Sequence, residues 1–182
     1  MLSILVSSFL YLYFIKQNIF IKLFGTDLFY RIDRLLDWKN GTGMQLENSL
    51  TAIGSSGIKG HGYMHTPIYF PESGTDFIFT VYASNFGLIG CIIFLIIVLS
   101  FDLYLLHISK KSIDTTEKYI MVGTVGMLLY QQSQNIGMTL GILPITGITL
   151  PFISYGGSSL LSYLLMLGII FKISSNTKKT IN

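Results

Sequence analysis

Two long stretches of this chain carry no charge, and they limit what it can fold into. One runs from Phe77 to Phe101, the other from Tyr119 to Phe171. A helix crosses a bilayer with about 20 apolar residues. The first stretch therefore fits one span, and the second is long enough for two with a break between them. A shorter charge-free run, Met1 to Ile15, ends at Lys16, whose aliphatic stem can snorkel to an interface. It lacks the basic start and small-residue cleavage site of a secretory signal, so it reads as a retained membrane helix in a chain expected to be part of something longer. The chain is 51% hydrophobic and 12% charged, against about 25% charged in an ordinary soluble domain. Its scattered basic residues form no nucleic-acid-binding stripe. A single cysteine, Cys91, excludes an intrachain disulfide and a cysteine metal site.

These runs predict an all-α polytopic membrane protein of about four transmembrane helices. The expected order is a first helix at 1–15, an outer loop at 16–76, a second helix at 77–106 and a cytoplasmic loop at 107–118. A third helix follows at 119–140, then an outer re-entrant loop at 141–157, a fourth helix at 158–171 and a cytoplasmic tail at 172–182. The 107–118 loop holds His107, Lys110, Lys111 and Lys118, and the tail holds Lys172, Lys178 and Lys179. Short basic segments favour the cytoplasm, and with four spans both fall on one side. Both termini are then cytoplasmic, and Asp76 faces outward.

The outer segments are unusual. Met44 to Ile53 has helical spacing, and Gly54, Gly57, Gly60 and Gly62 then interrupt it. The pattern fits a short interfacial or re-entrant helix, or an ordinary exposed amphipathic one. The connection from Gly141 to Ser159 has two prolines, four glycines and no charge. A regular helix cannot run through it, and its apolar residues do not suit water. A structured loop lining a groove reconciles both facts. At its end, Ser154, Gly156, Gly157 and Ser158 either offer free amides to a phosphate or cap and pack the last helix. Asp76 stands where a polar loop becomes a membrane run. A carboxylate there is costly, which suggests function, although an N-cap is the competing reading. Lys59 and His61 are candidate anion binders or solvated loop charges, and Asn135 lines a polar cavity or bonds between helices.

The segment Pro71-Glu72-Ser73-Gly74-Thr75-Asp76-Phe77-Ile78-Phe79 resembles the P-E-x-x-T-D-F-I-F motif of the SEDS family (shape, elongation, division and sporulation), the RodA/FtsW/SpoVE group. Asn135-Ile136-Gly137-Met138, Leu143-Pro144-Ile145-Thr146-Gly147 and the run from Leu150 to Ser159 are similar to its C-terminal signature, and Ala52-Ile53-Gly54-Ser55 to its A-I-G-S. The resemblance covers most of the chain from about Arg31 onward. There are departures: Ser73 and Gly74 replace the family's Arg or Ala and its His, Ser84 and Asn85 its glutamate pair, and His61 the lysine of a G-K-G turn.

The resemblance implies the C-terminal portion of a ten-helix SEDS fold in the bacterial cytoplasmic membrane. It implies a peptidoglycan glycosyltransferase that polymerises lipid II, an undecaprenyl-pyrophosphate-linked disaccharide peptide, beside a class B penicillin-binding protein and membrane lipid. A sugar hydroxyl is a poor nucleophile at neutral pH, and a carboxylate can take its proton. Asp76 is the expected catalytic base, with Glu72 and Thr75 beside it. A divalent cation can neutralise a departing pyrophosphate, but Glu72 and Asp76 alone are too thin a set to predict a metal site. The alternatives are a non-catalytic membrane scaffold or a lipid II carrier. A carrier should show polar residues along a whole transmembrane path, and Gln131 to Asn135 is the one such cluster.

Overall fold

The computed structural model describes residues 2–40, 43–68, 73–112 and 114–181, which form seven helices and, among the described residues, no strand. They are α1 (Leu2–Ile15), α2 (Gln17–Phe24), α3 (Thr26–Asn40), α4 (Met44–Ser55), α5 (Ile78–Lys111), α6 (Thr115–Thr139) and α7 (Gly157–Ile181). Two of them are long and apolar enough to cross a membrane, α5 and the Gly157–Ser175 part of α7. In α6 the polar run Gln131–Asn135 dilutes the apolar content.

The 16–76 stretch, expected as a loop with one short helix near Met44–Ile53, contains that helix as α4 and two unforeseen ones, α2 and α3. An aromatic cluster explains the latter two. Phe20 is fully buried, with its ring centroid 5.1 Å from that of Phe9, 5.4 Å from Tyr13 and 4.9 Å from Phe24. Such pairs add about 0.5–1.5 kcal/mol each beyond the area they bury. Gly25, at φ 86°, turns the chain from α2 into α3, and Tyr13 then donates to Asp33 Oδ1 at 3.3 Å.

The helix α5 is broken inside. Gly87 has φ 63° and ψ −161°, which forfeits helical hydrogen bonds on both sides. The turn after α4 replaces them. The amides of His61 and Gly62 donate to the carbonyls of Ser84 and Asn85, both at 3.0 Å. In return the amides of Leu88 and Ile89 donate to the carbonyls of Gly57 (3.1 Å) and Ile58 (3.2 Å). Two backbones can meet this closely only without side chains. A Cβ on Gly60 would collide with the Asn85 carbonyl, and one on Gly87 with the Gly60 amide.

Three apolar clusters hold α4 to α7. Leu105, Met121, Leu128, Tyr163 and Ile170 join α5, α6 and α7. Leu46, Ala52, Phe77, Met138 and Ile145 seat α4 against the start of α5 and the end of α6. Phe79, Ala83, Phe94 and Leu150 complete the third. Ile145 and Leu150 belong to the 140–156 connection, so this irregular segment is anchored in the core from both of its halves. Buried Ser49 adds a polar tie, donating to the Thr139 carbonyl at 2.8 Å and lying 2.6 Å from Thr80 Oγ1. Its one proton goes to Thr139, so Thr80 is the donor of the second bond.

Candidate active site

The carbonyls of Gly74, Thr75 and Asp76 stand just before α5. Each finds a donor far along the chain. The Tyr155 amide donates to the Gly74 carbonyl at 2.9 Å. Ser154 Oγ donates to the Thr75 carbonyl at 2.7 Å. Asn135 Nδ2 donates to the Asp76 carbonyl at 2.9 Å. The next carbonyl, of Phe77, accepts from Thr80 and Val81 and starts the helix. Four successive carbonyls are thus fixed where the loop enters α5.

The same donors shape the 140–156 connection. Asn135 Nδ2 also reaches the Ile148 carbonyl at 2.8 Å, and Ser154 Oγ accepts from the Leu150 amide at 2.8 Å. Gln134 Nε2 donates to the Pro144 carbonyl at 2.9 Å. Proline supplies no amide, and these side chains replace the backbone pairing a regular element would have had. Gly147, at φ 72°, carries the backbone past the half-buried Asp76 carboxylate. A Cβ built there would stand 3.2 Å from Asp76 Oδ2.

The polar run of α6 serves several neighbours at once. Gln131 Oε1 accepts from the Tyr163 hydroxyl of α7 at 3.0 Å, and Gln132 Nε2 donates to Asp102 Oδ1 of α5 at 3.4 Å. Gln134 and Asn135 serve the connection, as above. Below the connection an apolar cavity of about 360 Å³ opens between α5 and α7, lined by Phe94, Phe101, Leu150, Phe152 and Leu167 with Gln132 as its polar member.

The expected site residues fall into three groups. Asp76, Thr75, Asn135 and Ser154 come together through the backbone contacts above. Asn135, expected at the substrate, has no exposed surface and commits both amide hydrogens to carbonyls. Lys59 and His61 belong to the turn packed on the interior of α5. Lys59 is exposed there, and His61 Nε2 lies 3.0 Å from Ser55 Oγ. Gly156, Gly157 and Ser158 stand at the start of α7, where Gly157 and Ser158 are exposed and the Gly156 carbonyl accepts from Ser159 Oγ at 3.0 Å. Glu72 lies outside the described residues. Among the described residues no three His, Cys, Asp or Glu side chains gather as a metal site. Sequence reasoning quoted Gly147 only within a motif and passed over Gly87, because the roles of both are tertiary. It also passed over Asp102, a carboxyl just beyond the first charge-free run.

A family model for the cell cycle proteins FtsW, RodA and SpoVE matches residues 1–179. The chain is 40% identical over 142 residues to a probable peptidoglycan glycosyltransferase FtsW of Synechocystis, a match covering 76% of this chain and 36% of that protein. It is 36% identical to stage V sporulation protein E of Bacillus subtilis, covering 80% of this chain and 42% of that one. Against peptidoglycan glycosyltransferase RodA of Treponema pallidum the identity is 39%, over 73% of this chain and 32% of that one. The chain thus spans less than half the length of these relatives. Among solved structures it matches a chain from a study of a peptidoglycan synthase complex that coordinates polymerization and crosslinking. That match has a TM-score of 0.67 and 25% identity, over 97% of this chain and 48% of that one. A crystal structure of a mutant RodA from Thermus thermophilus matches with a TM-score of 0.57 and 30% identity, over 66% of this chain and 39% of that one. The chain belongs to the FtsW/RodA/SpoVE family of cell cycle proteins.

Proposed function

We propose that this chain supplies the catalytic carboxylate of a peptidoglycan glycosyltransferase, with Asp76 as general base on the outer side of the bacterial cytoplasmic membrane. The observation that carries this reading is the fixing of Asp76. Its backbone is held by Asn135, the carbonyls before it by Ser154 and Tyr155, and the Gly147 backbone runs beside its carboxylate. A helix cap needs none of these remote donors. A base does, because proton transfer depends on placement within hydrogen-bond reach of the nucleophile.

In the proposed reaction Asp76 takes the proton of an acceptor sugar hydroxyl. The oxygen forms a bond to the anomeric carbon of the donor sugar. The bond from that carbon to the lipid pyrophosphate breaks, and the pyrophosphate leaves with its electron pair. The substrate is lipid II, and the apolar cavity beneath the connection has the character an isoprenoid chain requires. Lys59, His61 and the exposed amides at the start of α7 are the positive groups offered to the pyrophosphate. The partner is a class B penicillin-binding protein that crosslinks the strands. The topology is four spans, with both termini cytoplasmic and the 141–157 loop re-entrant from outside.

The test is lipid II polymerisation by the purified protein, alone and with its penicillin-binding partner, for wild type and Asp76→Asn. The variant keeps the size of the side chain and removes the base, so turnover should fall by at least about a hundredfold. Equal turnover would remove Asp76 from the chemistry. Partner binding without product from either protein would favour a membrane scaffold.

A further inference from the structure

We infer that Asn135 is a positioning residue for Asp76, and that with Ser154 it forms a clamp setting where the carboxylate stands. This rests on the reading of Asp76 as the base and adds the device that aims it. Three features support the assignment. The carbonyls of Gly74, Thr75 and Asp76 are consecutive, and all three are held by donors from the far end of the chain. Holding consecutive carbonyls fixes the intervening backbone torsions, and with them the direction of the Asp76 Cα–Cβ bond. The Asn135 amide is also shared, at 2.9 Å to the Asp76 carbonyl and 2.8 Å to the Ile148 carbonyl. Ile148 follows Gly147, whose backbone faces the carboxylate, so one side chain registers the base and the wall opposite it. Finally, Asn135 is fully buried and an amide has two hydrogens, both in use. It has none left for a phosphate, and its Oδ1, though without a partner among the described residues, is buried away from any sugar. It acts on substrate through Asp76.

Ser154 repeats the logic one residue earlier. Its hydroxyl donates to the Thr75 carbonyl and accepts from the Leu150 amide. The two side chains thus tie the entry of α5 to both halves of the 140–156 connection. Removing either should free the backbone on one side of the base without changing any group that touches substrate.

The experiment uses two readouts on the full protein. In a Cys91→Ser background, Asp76→Cys carries a nitroxide spin label, and its electron paramagnetic resonance line shape reports local motion. Asn135→Leu keeps the approximate volume and removes both donations, and Ser154→Ala makes a smaller change should the first fail to fold. Each should shift the label from an immobilised to a more mobile spectrum. In the unlabelled protein with Asp76 intact, each should lower kcat about tenfold or more per folded molecule and leave KM within about twofold. An unchanged spectrum in both variants overturns the clamp, whether or not the chain polymerises. So does a rise in KM alone, which would make Asn135 a substrate contact. Loss of folded protein with normal kcat in the remainder would make the role purely structural. Asp76→Asn separates the two ideas. If it is active, the base reading fails; if it is dead while both clamp variants turn over normally, only the positioning fails.

Discussion

At the scale of single residues, the sequence offered Asp76, Asn135 and Ser154 as candidates but not the contacts that join them. A carboxylate at the edge of a charge-free run announces itself by its desolvation cost. A glycine facing it from across 70 intervening residues does not. Gly147 combines two constraints on one residue. Its φ of 72° costs an L-residue about 1–2 kcal/mol, and a methyl group there would stand 3.2 Å from Asp76 Oδ2. Gly147→Ala should therefore lower stability by about 1–2 kcal/mol and also displace the carboxylate. Thermal unfolding in detergent reads the first effect. Polymerisation per folded molecule reads the second, which should exceed tenfold. Wild-type turnover in Gly147→Ala would show that the carboxylate does not need this wall.

At the scale of elements, the apolar helices followed from the charge-free runs, because desolvation forces such runs to be helical. The expected second helix, 77–106, is α5, which extends to Lys111. The break at Gly87 was not legible, since the residues around it read as uninterrupted helix. It exists because the Gly57–Gly62 turn supplies the missing hydrogen-bond partners, and no local pattern reports that. The helices α2 and α3 escaped for a related reason. Their order comes from aromatic rings contributed by three segments, within a stretch whose charges read as loop. Asp102 shows what a charge inside α5 requires. It is 2% exposed, Gln132 reaches its Oδ1, and its Oδ2 has no partner among the described residues. Replacing Asp102 alone with Leu should leave the Gln132 amide unpaired and cost about 1–2 kcal/mol. Adding Gln132→Leu should restore most of that loss, because an apolar pair suits this setting better than half of a polar one. A double-mutant cycle by detergent unfolding measures the difference, and additive losses would deny the pairing.

At the scale of the whole molecule, α5 sets two chemical environments apart. Beyond the break at Gly87, the 24 residues from Leu88 to Lys111 extend about 36 Å at 1.5 Å per residue, more than the roughly 30 Å hydrocarbon core. One end of α5 meets Asp76 and continues from the loop carrying His65. The other ends at Lys110 and Lys111, and α6 begins beside them with Lys118 in its first turns. Basic residues in a short connection resist translocation, so the lysine end should stay in the cytoplasm and the Asp76 end should face out. The proposed chemistry requires the same orientation, since the acceptor strand lies outside. Both arguments can be checked without any enzymatic activity. In a Cys91→Ser background, single cysteines replace the exposed His65 or the exposed Lys110. A membrane-impermeant maleimide should label His65→Cys in intact spheroplasts and Lys110→Cys only after permeabilisation. The reverse pattern would turn Asp76 toward the cytoplasm, out of reach of a growing glycan strand, and the proposed function would fall with the topology.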